Sequence, residues 1–132
     1  MDERIAVGQR GEAAVERVYR SRGYRIVARN WRCRIGELDL VVMRGATLAI
    51  CEVKTRRGAR FGGGFEAVDA RKRQKLRALA ETFCLQYPVG AASIRFDVAS
   101  VRVIPASSSE STMTTTIPTR PERPFTAPPL CF

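Results

Sequence analysis

Apolar residues recur at two different periods along this chain, and the changes of period divide it into elements. Over residues 7–22, Ala14, Val15, Val18 and Tyr19 fall on one helical stripe, and Gly23 ends it. The period then shortens. "YRIVARNW" sets Tyr24, Ile26 and Ala28 against Arg25, Val27 and Arg29, a strand with one wetter face. "ELDLVVM" and "TLAICEV" predict two more strands, with "RGA" as the turn signal between them. From Arg57 to Gly64, "RGARFGGG" reads as a basic, glycine-rich loop, and it lacks the pattern of a nucleotide-binding P-loop. Asp69 is a suitable N-cap for a second helix. There Leu76, Leu79, Ala80, Phe83, Cys84 and Tyr87 give the strongest helical signal of the chain. Pro88 and Gly90 stop it, and "SIRFDVASVRV" predicts a last strand. The expected order is α-β-β-β-α-β. After Val103 the chain turns rich in Ser, Thr and Pro and offers little apolar surface to bury. The reading is one domain over 1–103 and a disordered tail over 104–132.

Against this pattern, the stretch "GELDLVVMRGATLAICEVKTRR" is anomalous. It places Glu37, Asp39, Glu52 and Lys54 inside two apolar strands. Alternate residues of a strand share a face. Glu37, Asp39 and Val41 therefore go together, as do Leu48, Ile50, Glu52 and Lys54. An even number of loop residues puts both sets on the same side of the sheet. With Arg44 to Thr47 as the loop, Asp39 lies opposite Glu52; with Arg44 and Gly45 alone, it lies diagonal to Glu52. Either register brings the Cβ atoms to roughly 4.5–8 Å. An odd loop would send the carboxylates to opposite faces.

Two carboxylates held that close in partly apolar surroundings repel each other, and a divalent cation resolves the conflict. Hard oxygen ligands suit Mg²⁺ or Mn²⁺, and the chain has no histidine to suggest zinc. An ammonium at Lys54 could orient a water and stabilise charge developing on a phosphate. The competing reading is a salt-bridged strand end, with Lys54 paired to Asp39 or Glu52.

Charge adds a partner class. The chain of 132 residues carries a net charge of +10. The tail from Ile104 balances Glu110 and Glu122 against Arg120 and Arg123, so the excess lies in residues 1–103. Between 53 and 77, Lys54, Arg56, Arg57, Arg60, Arg71, Lys72, Arg73, Lys75 and Arg77 face only Glu66 and Asp69. A clustered basic patch of this kind suggests nucleic acid. No apolar run approaches the roughly 18 residues of a membrane span. The acidic, interrupted N-terminal stretch does not read as a signal peptide. Cys33, Cys51, Cys84 and Cys131 form no CxxC pair, which argues against zinc and against a disulfide framework. Cys51 and Cys84 read as small core residues, and a reduced cytoplasmic setting fits.

Asp39 and, after twelve residues, "EVK" at Glu52-Val53-Lys54 resemble the signature of the PD-(D/E)XK nuclease superfamily. "GQRGEAAVERVYRSRGYRIVARNWR", "GELDLVV", "EVKTRR", "FGGGFEAV", "KRQKLRALAETF" and "RFDVASV" together resemble the YraN family of uncharacterised bacterial proteins. That family is similar to archaeal-type Holliday-junction resolvases. The match runs from about Gly8 to Val103. The resemblance implies a restriction-endonuclease-like three-layer α/β fold with a mixed central sheet flanked by helices. It implies Asp39, Glu52 and the Val53 carbonyl as ligands of Mg²⁺ or Mn²⁺, Lys54 as catalytic lysine and Glu12 as a first-helix acid facing the site. Glu37 matches the motif either as a supporting acid or as a partner for a basic side chain, and the charge cluster predicts Arg56, Arg57, Arg60, Arg71, Lys72, Arg73 and Lys75 as the nucleic-acid surface. The activity implied is a metal-dependent endonuclease acting on DNA, with branched or damaged DNA as candidate substrates. The alternative is a non-catalytic nucleic-acid-binding module on the same scaffold. The Pro- and Thr-rich tail departs from the family's usual end, which leaves homodimer contacts open.

Overall fold

The computed structural model describes residues 3–57, 70–105 and 111–116. Helix α1 (Glu3–Ser21) is followed by strands β1 (Arg25–Arg32), β2 (Glu37–Arg44) and β3 (Thr47–Arg57). Helix α2 (Ala70–Gln86), β4 (Ser93–Pro105) and β5 (Ser111–Thr116) complete the described elements. The strands form one sheet in the order β1-β2-β3-β4-β5. Among the described strands, only β3 and β4 run parallel. A parallel neighbour needs a crossover, and α2 lies within it.

The sheet is apolar on both faces because a helix covers each. Along β3 the residues alternate between two cores. Ala49 and Cys51 pack with Val15 and Tyr19 of α1; Leu48 and Ile50 pack with Leu79, Ala80 and Phe83 of α2. The element order is the one the pattern predicts, and the sheet is mixed and flanked by helices, as the resemblance implies. Cys51 is fully buried, and burial pushes its thiol up to about 12. It is therefore a core residue rather than a nucleophile.

Three local readings change. In β1 the pairing register shifts between Ile26 and Ala28. Ile26 packs with the α1 core, while Val27 and Ala28 pack with the α2 core, so the simple alternation from Tyr24 fails at the bulge. β3 continues through Arg57, where a loop was expected to begin. The tail is the larger correction. β4 runs to Pro105, and Ser111–Thr116 pairs antiparallel with it from Ser100↔Thr116 to Pro105↔Ser111. Little apolar surface is needed for this pairing, because the edge of β4 supplies backbone partners to a Thr-rich segment of good strand propensity. The Asp69 cap, residues 58–64, the side chain of Arg57, Cys131 and the tail at 106–110 and 117–132 lie outside the described residues. Among those described, no helix is long and apolar enough to cross a membrane.

One buried polar cluster ties α1 to the sheet. Asp97 on β4 is 2% exposed. It accepts from the Tyr19 hydroxyl at 2.6 Å and from Arg95 Nε and Nη2 at 2.9 Å each. The Arg95 guanidinium also lies 5.5 Å from the Tyr24 ring centroid. A buried carboxylate demands such partners. Burial, then the neighbouring Cys51 and Asp97, drive the Tyr19 hydroxyl far above its ordinary range, so it stays a donor.

Candidate metal and phosphate site

The β2–β3 hairpin turns on Gly45 and Ala46, closed by Arg44↔Thr47. Gly45 takes φ 58°, a conformation that suits glycine at the first position of a tight hairpin turn. The loop is even. Its register is that of the first option as far as Leu40↔Cys51, the last registered pair, which stops one residue short of Asp39 and Glu52.

Beyond that pair the regular ladder stops. The Val53 N–H donates instead to Asp39 Oδ2 at 2.9 Å. A carboxylate has replaced a backbone acceptor at the point where β2 and β3 part. The faces of β2 also slip here. Leu40 belongs to the α1 core and Leu38 to the α2 core, although residues two apart in a regular strand share a face. Across the sheet, Asn30 has φ 47°, a second irregularity beside Asp39 in the β1–β2 pairing. Asp39 thus sits where both neighbouring ladders are interrupted.

Asp39 and Glu12 both feel burial and the charge of acidic neighbours here. Burial is the main cause that raises the Asp39 pKa above its usual value; the Val53 hydrogen bond opposes it, and Glu52 and Glu37 raise it further. Glu12 of α1 is shifted the same way, first by burial, then, against the Asn30 side chain's contact, by Asp39, Glu16 and Glu37. Glu12 accepts from Asn30 Nδ2 at 3.4 Å. It reaches the gap because α1 crosses β3 closely at Gly11, where any Cβ would overlap Thr55 Oγ1. Glu37, at the start of β2, is exposed and pairs with Arg32 at 3.2 Å. Lys54 follows Glu52 by two residues on the same strand and is half-buried.

The structure adds a contact that the sequence did not reveal. Lys72, in the first turn of α2, places its ammonium 3.0 Å from Glu52 Oε2 and 3.3 Å from Oε1. Lys72 belongs by sequence to the outward basic surface, but its ammonium turns to Glu52. Arg71, Arg73 and Lys75 are exposed around it, and Arg56 is exposed at the end of β3. Lys75 lies over Gly36, where a Cβ would stand 3.2 Å from its Cε. Arg60 and the Arg57 side chain lie outside the described residues.

Among the described residues, no group of three or more His, Cys, Asp or Glu side chains is gathered tightly enough to hold an ion alone. Two carboxylates and one backbone carbonyl remain as donors. Mg²⁺ is commonly held by one or two carboxylates, with water and substrate phosphate completing the shell. The Val53 N–H points to Asp39, and in an extended strand a residue's C=O points to the same side as its N–H. The oxygen donors of Asp39, Glu52 and Val53 therefore suit a hard divalent cation.

A family model for an uncharacterised bacterial group matches residues 11–101, a span that holds Glu12, Asp39, Glu52, Lys54 and α2. The chain belongs to the uncharacterised protein family UPF0102. It is similar to a UPF0102 protein of Frankia alni, 48% identical over 101 residues, covering 76% of this chain and 84% of that one. A UPF0102 protein of Nocardia farcinica is 48% identical over 103 residues, covering 78% and 81%. One of Mycolicibacterium vanbaalenii is 41% identical over 102 residues, covering 77% and 84%. The UPF0102 match takes in the candidate site and ends inside β4, before β5.

Proposed function

We propose that this protein is a Mg²⁺- or Mn²⁺-dependent endonuclease of the PD-(D/E)XK type, with a restriction-endonuclease-like core, hydrolysing phosphodiester bonds in DNA. The observation that carries the reading is Asp39 at the parting of β2 and β3, bonded to the Val53 N–H, with its carboxylate destabilised by burial and by the nearby charges of Glu52 and Glu37. Perturbed carboxylates in such a place mark candidate functional sites. Asp39, Glu52 and the Val53 carbonyl would hold the ion. When bound, it would neutralise phosphate charge and lower the pKa of a water. Lys54 would orient that water and steady the negative charge that grows on the phosphate oxygens. Glu12 would accept a hydrogen bond from water on the α1 side. Arg56, Arg71, Arg73 and Lys75 would meet backbone phosphates along α2 and the end of β3. Branched or damaged DNA is the candidate substrate class.

The test is a cleavage assay on linear, flapped and four-way DNA, with Mg²⁺, Mn²⁺ or chelator, beside Lys54→Ala. The expected result is metal-dependent cutting by the parent alone. One observation favours the alternative of a binding module without catalysis: Lys72 already supplies a counter-charge to Glu52. Salt-sensitive DNA binding, with no cutting under any metal and no metal binding, would establish that alternative.

A further inference from the structure

Lys72 is in an unusual place for a lysine of a basic surface. Its helix begins with Ala70, Arg71, Lys72 and Arg73, and no acid lies in the first turn. A helix N-terminus already presents partial positive charge, so cations there are disfavoured and anions welcome. Of the two candidate carboxylate ligands, Glu52 receives the Lys72 ammonium on both oxygens, at 3.0 and 3.3 Å. Asp39 instead has one oxygen on the Val53 N–H. The Lys72 and Glu52 side chains remain 39% and 34% exposed. An ion pair this open to water is weak and readily exchanged.

Resting on the metal-site reading above, we infer that Lys72 is the displaceable counter-ion of Glu52. It neutralises the carboxylate while no divalent ion is bound, and it passes to a nucleic-acid phosphate when an ion takes its place. The direction follows from charge. A divalent ion and an ammonium compete for the same two oxygens. The displaced ammonium stays on a helix end that disfavours it, beside the exposed Arg71, Arg73 and Lys75. A phosphate is an anion that can replace Glu52 there. Ion and nucleic acid therefore bind with positive coupling, and each makes room for the other. The arrangement also keeps the carboxylate pair from standing uncompensated beside the incoming polyanion.

The experiment compares the parent with Lys72→Met and Arg20→Met, the latter removing an equal charge from the last turn of α1. Mg²⁺ is titrated against melting temperature without nucleic acid. Lys72→Met should bind Mg²⁺ about two- to fivefold more tightly than the parent, and Arg20→Met as the parent does. Binding of a short DNA duplex is then followed against salt, with and without Ca²⁺. The parent's log–log slope should steepen with Ca²⁺ by about 0.9, one added phosphate contact, relative to that of Lys72→Met. Equal or weaker Mg²⁺ binding by Lys72→Met, while the parent binds the ion, overturns the counter-ion role and leaves the metal site standing. An equal response of both slopes to Ca²⁺ overturns the hand-over to phosphate. Absence of metal binding in both parent and Lys72→Met removes the metal-site reading and the counter-ion role together.

Discussion

The backbone N–H of Val53 donates to Asp39 Oδ2 at 2.9 Å, across a hairpin whose last registered pair is Leu40↔Cys51. The carboxylate thus completes the hairpin's hydrogen bonding and lines the gap at once. These two tasks conflict, because burial and the charges of Glu52 and Glu37 oppose the ionised form, while the N–H favours it.

This conflict fixes the sign of a pH dependence. Burial leads the causes that raise the Asp39 pKa in the folded protein, and Glu12 shifts in the same direction. A carboxyl that holds its proton more tightly when folded contributes stability below its unfolded pKa. That contribution is lost as pH rises through the folded pKa. Asp39→Asn keeps an oxygen for the Val53 N–H and removes the charge. At pH 7 it should melt no lower than the parent, and any advantage should shrink as pH falls into the ordinary carboxylate range. A variant that is less stable than the parent at pH 7 and equal to it at low pH would show the opposite sign.

The Tyr19–Asp97 bond gives a second prediction. Asp97 is enclosed and has three donors, one of them the Tyr19 hydroxyl. Tyr19→Phe keeps the ring against Tyr24, 5.2 Å between centroids, and removes only that donor. The cost should be about 1.5–3 kcal/mol, the range for a hydrogen bond to a charged group. Urea unfolding measures it, and an unchanged midpoint would mean that the hydroxyl contributes nothing to stability.

Much of the fold was legible because its signals are periodic. The α2 stripe through Leu79 and Phe83 and the alternation of Leu48, Ala49, Ile50 and Cys51 each reflect one buried face meeting one helix. The even parity of the β2–β3 loop is met by the Gly45–Ala46 turn, and the expected register holds as far as Leu40↔Cys51, where the ladder stops short of Asp39 and Glu52. Other features carry no local signal. Lys72 looks like its neighbours Arg71 and Arg73 in sequence; only the packing of α2 against β3 turns it toward Glu52. Asp97 occupies a strand position like any other acid until Tyr19, from 78 residues away, closes over it. β5 was missed because edge pairing depends on backbone atoms, which composition does not register.

Glycine positions in α1 give a third prediction with opposite signs for one substitution. A Cβ at Gly11 overlaps Thr55 Oγ1, whereas a Cβ at Gly8 meets nothing within 4 Å. Gly8→Ala should stabilise by up to about 1 kcal/mol through helix propensity. Gly11→Ala should destabilise by roughly 1–3 kcal/mol, the usual range for overpacking, because α1 must move off β3. The same movement carries Glu12 from the gap, so Gly11→Ala should also weaken any metal response. Thermal melts of both variants check the pair, and equal shifts would contradict the close crossing.

The last prediction separates the ligands from the lysine. If Asp39 and Glu52 hold a divalent ion, Mg²⁺ should stabilise the parent by about 1.4 kcal/mol at ten times its dissociation constant. Asp39→Asn removes a ligand charge, so its melting temperature should be insensitive to Mg²⁺ and it should cut nothing. Lys54→Ala leaves all three oxygen donors in place. It should keep both the metal response and salt-sensitive DNA binding while losing cleavage, because the ammonium acts on water and phosphate rather than on the ion. The salt-bridge reading makes the reverse forecast. Asp39→Asn and Lys54→Ala would then destabilise the protein alike, and divalent ions would leave the parent's melting temperature where it was. Melting temperatures with and without Mg²⁺ decide between the two before any cleavage is measured, since only a metal site makes Asp39→Asn lose a response that Lys54→Ala retains.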